Sequence, residues 1–132
     1  MQKRSISAVN APQPKGGYAQ VCEFSDAKRW AFVSGQIPQT ADGTVPADFT
    51  AQARLAWANV ESQLKAVDMT LSDIVKVTTF LSDRKYNLEN RAVRAEVLRD
   101  LAPALTVIIA GIFDEAWLLE IEVVAAAYTR SH

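Results

Sequence analysis

Cysteine and histidine are nearly missing from this chain. Cys22 is the one cysteine, and His132, the last residue, is the one histidine. An internal disulfide, a Cys/His metal site and a Ser-His-Asp triad are therefore excluded. No metal and no cofactor are expected, and any chemistry must use carboxylates, hydroxyls, guanidinium groups or backbone amides. An excess of charge is also lacking: 14 Lys and Arg against 15 Asp and Glu leave a net charge of -1, with no like-charge block. Neither nucleic acid nor an anionic membrane is expected as a partner. There is no apolar run of about 18 residues, and the stretch MQKRSISAVNAPQPKGG has no apolar signal core. Those absences predict a soluble, cytoplasmic protein.

What is present suits one domain. The chain has 132 residues, 49% of them hydrophobic, which is enough apolar material for a core. No repeat, low-complexity segment or long linker divides it, so residues 1–132 read as a single unit. Ile6 to Val9 predicts a short edge strand before the Pro and Gly cluster at Pro12, Pro14, Gly16 and Gly17. Ala19 to Phe24 and Trp30 to Ser34 read as two strands of a hairpin turned by Ser25-Asp26-Ala27-Lys28. Asp48 is an N-cap candidate for a helix whose apolar stripe is Phe49, Ala53, Trp57, Val60, Leu64 and Val67. Thr70 and Asp73 cap one turn before the alternating strand Val75 to Leu81, and Leu88, Ala92, Ala95 and Leu98 predict one face of a second helix. Leu105 to Ala110 and Leu118 to Ala126 complete an α+β order of about six strands, with both helices on one face of a mixed sheet. Val107 to Ile112 and Ile121 to Ala127 are apolar on both strand faces, more than one helix layer requires. Sister subunits would cover the remainder, so a homo-oligomer is expected.

The stretch PALTVIIAGIFDEAWLLEIEVVAAA, from Pro103 to Ala127, sets Glu120 and Glu122 in an otherwise apolar strand. A carboxylate in apolar surroundings calls for a partner or a function. Period-two alternation places both on one strand face. For Glu120 a general acid or base role is weighed against an acid sealing a subunit contact. For Glu122 a structural ion pair or hydrogen bond is the expectation.

This stretch resembles the C-terminal signature of the reactive intermediate deaminase (Rid) family, older label endoribonuclease L-PSP, where a Pro-Ala-Arg-Ser strand precedes a Glu-Ile-Glu strand. Ala11-Pro12 with Gly16-Gly17-Tyr18-Ala19-Gln20 resembles the family's opening, and Phe32-Val33-Ser34-Gly35-Gln36-Ile37-Pro38 its strand exit. Leu71 to Lys76 and Thr79 to Asp83 resemble its central strand. The resemblance implies a chorismate-mutase-like fold, a homotrimer and three intersubunit clefts that hydrolyse an enamine or imine to a keto acid and ammonia. It also implies roles. The family's Arg holds the substrate carboxylate, the first Glu of its Glu-Ile-Glu strand handles water, and backbone groups around the second strand pair with substrate. Tyr18, Ser34, Gly35 and Glu120 have matches, whereas Leu105 stands where the Arg is expected. On the second helix the family's Asn falls at Arg91 and a common Tyr at Arg94, and the loop before Pro103 is shortened.

Leu105 leaves three alternatives: the ligand has no carboxylate, Arg91 or Arg94 reaches the site from the helix, or the chain is not a deaminase of this type. The candidate site is Glu120 as the catalytic group, with Tyr18, Ser34, Gly35, Leu105, Thr106, Arg91 and Arg94 around a small molecule. Tyr18 either stacks on a flat ligand or covers surface. Arg91 and Arg94, three residues apart, form either an anion site or, the favoured expectation, an ion-pair face with Glu89, Glu96 and Asp100. Thr79 and Thr106 suit strand packing as well as ligand contact. Trp57 is expected in the core, Trp117 at an interface, and Cys22 as an inert strand residue. A Rid-like hydrolase leads, a non-catalytic trimeric binding protein using the same clefts is the alternative, and an endoribonuclease comes last for want of a basic stripe and catalytic histidines.

Overall fold

The structure, a computed structural model, describes residues 3–129, so His132 lies outside the described residues. Its longest element, helix α1 (Phe49–Ala66), begins where the sequence predicts. Asp48 takes an extended backbone and its carboxylate accepts the Ala51 N–H at 3.2 Å, satisfying one orphan donor of the first turn. At the far end Arg29 donates to the carbonyls of Val67 at 2.5 Å and Asp68 at 2.9 Å, placing a cation on the negative end of the helix dipole. Phe49, Ala53, Ala56, Trp57, Val60 and Leu64 form the buried stripe.

The strands are β1 (Lys3–Ile6), β2 (Val21–Phe24), β3 (Arg29–Gln36), β4 (Ile74–Leu81), β5 (Ala104–Ile109) and β6 (Leu119–Ala127), with helix α2 (Asn87–Leu98) between β4 and β5. The six strands do not share the one mixed sheet expected: β1 and β2 pair with each other as a small antiparallel sheet, and the other four form a mixed sheet in the order β3-β6-β4-β5. β6 is antiparallel to β3 and β4, and β4 is parallel to β5. Parallel strands need a crossover, and α2 supplies it between β4 and β5. The arrangement is α+β, with one core between the helices and one sheet face. Gln52, 2% exposed, ties α1 to the approach to β6: its amide donates to Pro46 and Ala116 carbonyls and its oxygen accepts the Leu118 N–H, all within 2.9 Å. Among the described residues no helix is long and apolar enough to cross a membrane.

Three local expectations change. The first strand ends at Ile6, where the sequence reading had it begin. The expected hairpin through Ser25-Asp26-Ala27-Lys28 does not form: β2 pairs with β1, and β3 pairs with β6. Asp26 turns the chain with a φ of 61°, and β3 finds in β6 a long apolar partner that lets Ala31 and Val33 reach the core. α2 is rotated from its expected face. Leu88 is 72% exposed and Ala92 and Ala95 face solvent, while Asn90, Val93, Arg94 and Leu98 are buried. Val93, Val97 and Leu98 bury more apolar area than two alanines, and the rotation that brings them in carries Asn90 and Arg94 inward.

Candidate functional site

Alternation along β6 sorts its residues. Leu119, Ile121, Val123 and Ala125 are buried toward the helices, and Glu120, Glu122 and Val124 lie on the opposite, open face. Lys76, Thr78 and Phe80 of β4 share that face, with Phe80 opposite Glu120 and Thr78 opposite Glu122. β3 contributes Phe32, 78% exposed, and Ser34.

The β3–β6 register shifts between Val33 and Gln36, so Ser34 and Gly35 sit in a bulge. Bulges re-aim neighbouring groups, and this one brings the backbone of Gly35 against Glu120. A Cβ at Gly35 would stand 1.9 Å from Glu120 Oε2, a space only glycine leaves open. Among the described residues the half-buried Glu120 carboxylate accepts no hydrogen bond and joins no ion pair. Glu122 is likewise unpaired and exposed, against the expectation of a structural bond, because β4 offers it only Thr78 across the register. It lines a shallow open-face depression of about 250 Å³ with Phe32, Ser34, Lys76, Thr78 and Val124. Thr106 reaches the same face, where its hydroxyl accepts from Lys76 Nζ at 2.6 Å.

Leu105 points the other way. Its partner Val77 belongs to the helix face, and Leu105 packs there beside the edge formed by β5, α2 and the Gly16–Tyr18 segment. A second cleft of about 260 Å³ opens at this edge, lined by Lys15, Tyr18, Gln20, Asn87, Arg91, Arg94, Leu105 and Val107. Arg94 is 4% exposed. Its Nη2 donates to the Gly16 carbonyl at 3.3 Å, its guanidinium lies 5.5 Å from the Tyr18 ring centroid, and its buried Nε has no partner. Gly17 takes the left-handed backbone, φ 74°, that carries the chain over this side chain, where a Cβ would stand at ordinary contact distance, 3.4 Å, from Arg94 Nε. Burial, and secondarily repulsion from Arg91, hold the Arg94 guanidinium below its usual pKa, opposed by Tyr18.

The expected ion-pair face on α2 is not formed. Glu96 turns to α1, where Arg54 holds its carboxylate with two bonds of 2.9 Å, and neither Arg91 nor Arg94 has an acidic partner among the described residues. Within the chain, then, the predicted residues form two groups: Ser34, Gly35, Thr106 and Glu120 on the open face, and Tyr18, Arg91, Arg94 and Leu105 in the edge cleft. Sequence reasoning missed Lys15, Lys76 and the buried Asn90, whose Nδ2 is unpartnered. Asn90 stands three residues before Val93, a spacing that would have flagged it once Val93 was assigned to the core.

A model of the family described as Endoribonuclease L-PSP matches residues 8–127. The chain belongs to this family, the Rid proteins. Among its Rid relatives, the RutC family protein PH0854 of Pyrococcus horikoshii is 32% identical over 126 residues, covering 93% of this chain and 97% of that one. The 2-iminobutanoate/2-iminopropanoate deaminase of Escherichia coli is 38% identical over 81 residues, 61% of each chain. YyfB of Yersinia pestis, a solved structure from the conserved Rid family, superimposes with a TM-score of 0.83 at 22% identity over 96% of this chain and 99% of that one, a likeness of fold.

Proposed function

We propose that this Rid protein hydrolyses a small imine or enamine in clefts between the protomers of a homotrimer, where the open face of one protomer meets the edge cleft of the next. The single observation carrying this reading is the Glu120 carboxylate, unpaired among the described residues and held against Gly35 on the open face of the sheet. Such a carboxylate can accept a proton from water as the water oxygen bonds to the C=N carbon and the π electrons move to nitrogen. That proton then passes to nitrogen, giving a carbinolamine, whose hydroxyl proton is carried to the nitrogen by the same carboxylate as the C–N bond breaks and the C=O bond forms, so that ammonia leaves a carbonyl product. The exposed Phe32 and the partly exposed Ile108 belong to the surface that protomers would cover. The name of the Escherichia coli relative supports the reaction class. The historical ribonuclease label finds less support, since Glu120 and Glu122 on the open face repel a phosphodiester backbone.

The test is ammonia release from freshly generated imino acids. Glu120→Gln should lower the rate by about 100-fold or more while the melting temperature stays unchanged. Equal rates, at buffer level, for both proteins would remove the deaminase reading for those substrates. A non-catalytic binding protein is the second reading, favoured by Leu105 in place of the family's guanidinium; stabilisation by neutral apolar compounds but not by keto acids would select it.

A further inference from the structure

The edge cleft holds three cations and no acid. Lys15, Arg91 and Arg94 line it with Tyr18, Leu105 and Val107, and among the described residues no carboxylate pairs with any of the three. A guanidinium that is 4% exposed, with its Nε unbonded, is a costly thing to bury unless an anion completes it. Arg91 is partly exposed, whereas the Gly16–Tyr18 segment closes over Arg94. Guanidinium forks match planar carboxylates, and the apolar walls of Leu105 and Val107 suit a short hydrocarbon arm. At about 260 Å³ the cleft falls below the range typical of drug-sized ligands, roughly 300 Å³ and more, so the ligand is a small one.

We propose that Arg94, assisted by Arg91, binds the carboxylate of a small organic acid beside Leu105, so that the anion-holding charge comes from helix α2 and not from strand β5. The arrangement makes Arg94 a specificity-determining residue: it selects an acid over the neutral carbonyl or imine of the same length. As a statement about substrate this rests on the deaminase reading; as a statement about binding it is tested alone. Arg94 also lies under Tyr18 and donates to Gly16, so a purely structural strut is the rival role, and the two differ in what the apo protein does.

The experiment is calorimetric titration of the full chain with 2-oxobutanoate and with 2-butanone, alongside melting temperatures without ligand. The keto acid should bind and the ketone should not. Arg94→Leu and Arg91→Leu should each weaken keto-acid binding by about tenfold or more, the loss expected for a charge-assisted hydrogen bond. The apo melting temperature of Arg94→Leu should hold or rise, because an unpaired buried charge is removed. Arg54→Gln, which removes an arginine paired with Glu96 and lining neither cleft, should bind the keto acid like the parent protein. Binding with no turnover in any form upholds the anion site and removes only the deaminase reading. The proposal is overturned if the ketone binds as well as the acid, if both arginine variants bind undiminished, or if Arg94→Leu lowers the apo melting temperature while Arg91→Leu binds normally. Should Arg94→Leu fail to fold, Arg91→Leu, on a half-exposed position, decides.

Discussion

The two faces of the four-stranded sheet are built from alternate residues of the same strands and end in opposite conditions. On the helix face Leu119, Ile121, Val123 and Ala125 are buried, and the buried amide of Gln52 has all its bonds made within 2.9 Å. On the open face Glu120 and Glu122 stand beside exposed Phe32 with no partner among the described residues. A satisfied interior asks for nothing more, whereas unpaired charge marks where a ligand or a neighbour is needed. The helix side breaks its own rule at the β5–α2 edge, where Arg94 and Asn90 keep buried nitrogens without partners. The unpaired charges are negative on one face and positive at the other's edge, which is why the proposed cleft joins the two.

The contrast between faces is broken most directly by truncation. Ile121→Ala, at a fully buried position, should cost about 2 to 5 kcal/mol in chemical denaturation, since it removes apolar contact and leaves a cavity. Val124→Ala on the open face of the same strand should cost less than about 1 kcal/mol in dilute protein. Similar losses for both would mean that the open face is already covered in solution. Gly35→Ala comes next: its methyl group must displace the Glu120 side chain, for about 1 to 3 kcal/mol of destabilisation, and turnover should fall with it. A variant with parental stability and rate would show that Glu120 is not held by this contact.

The smallest effect concerns the exposed Arg54–Glu96 pair. Hydrogen bonds from Arg54, with its charge, hold the Glu96 carboxyl below the ordinary range, so its stabilisation is present above the unfolded-state pKa and lost as pH falls through the lowered folded value. Comparing parent and Glu96→Gln melting temperatures from about pH 7 to about pH 3 should show a slight parental advantage that fades with acid and with salt. A difference constant with pH would assign the effect to something other than this charge.

Much of the frame was legible in the residues. Asp48 and the stripe from Phe49 to Leu64 announced α1 and its cap, and the apolar block around Glu120 announced β6 with two acids on one face. The family was legible too, because its segments lie in order along the chain and the family match spans residues 8–127. Less legible was α2, where two periodic faces compete: Leu88, Ala92 and Ala95 look more apolar than a stripe containing Asn90 and Arg94. The resemblance puts Leu105 at the site and hydrogen-bonding capacity suggests Thr106, yet a strand sends these neighbours to opposite faces.

The chain alone determined elements, caps and period, since each depends on residues within a few positions of one another. It also determined which chemistries were unavailable, by having one cysteine and one histidine. Only the tertiary structure decided that Arg94 is buried under Gly16–Tyr18, that Glu96 turns away to Arg54, and that Glu120 lies on one face while Leu105 lies on the other. Helix rotation and strand pairing depend on surfaces far apart in sequence, and a local pattern carries no record of which of two faces the rest of the molecule will cover.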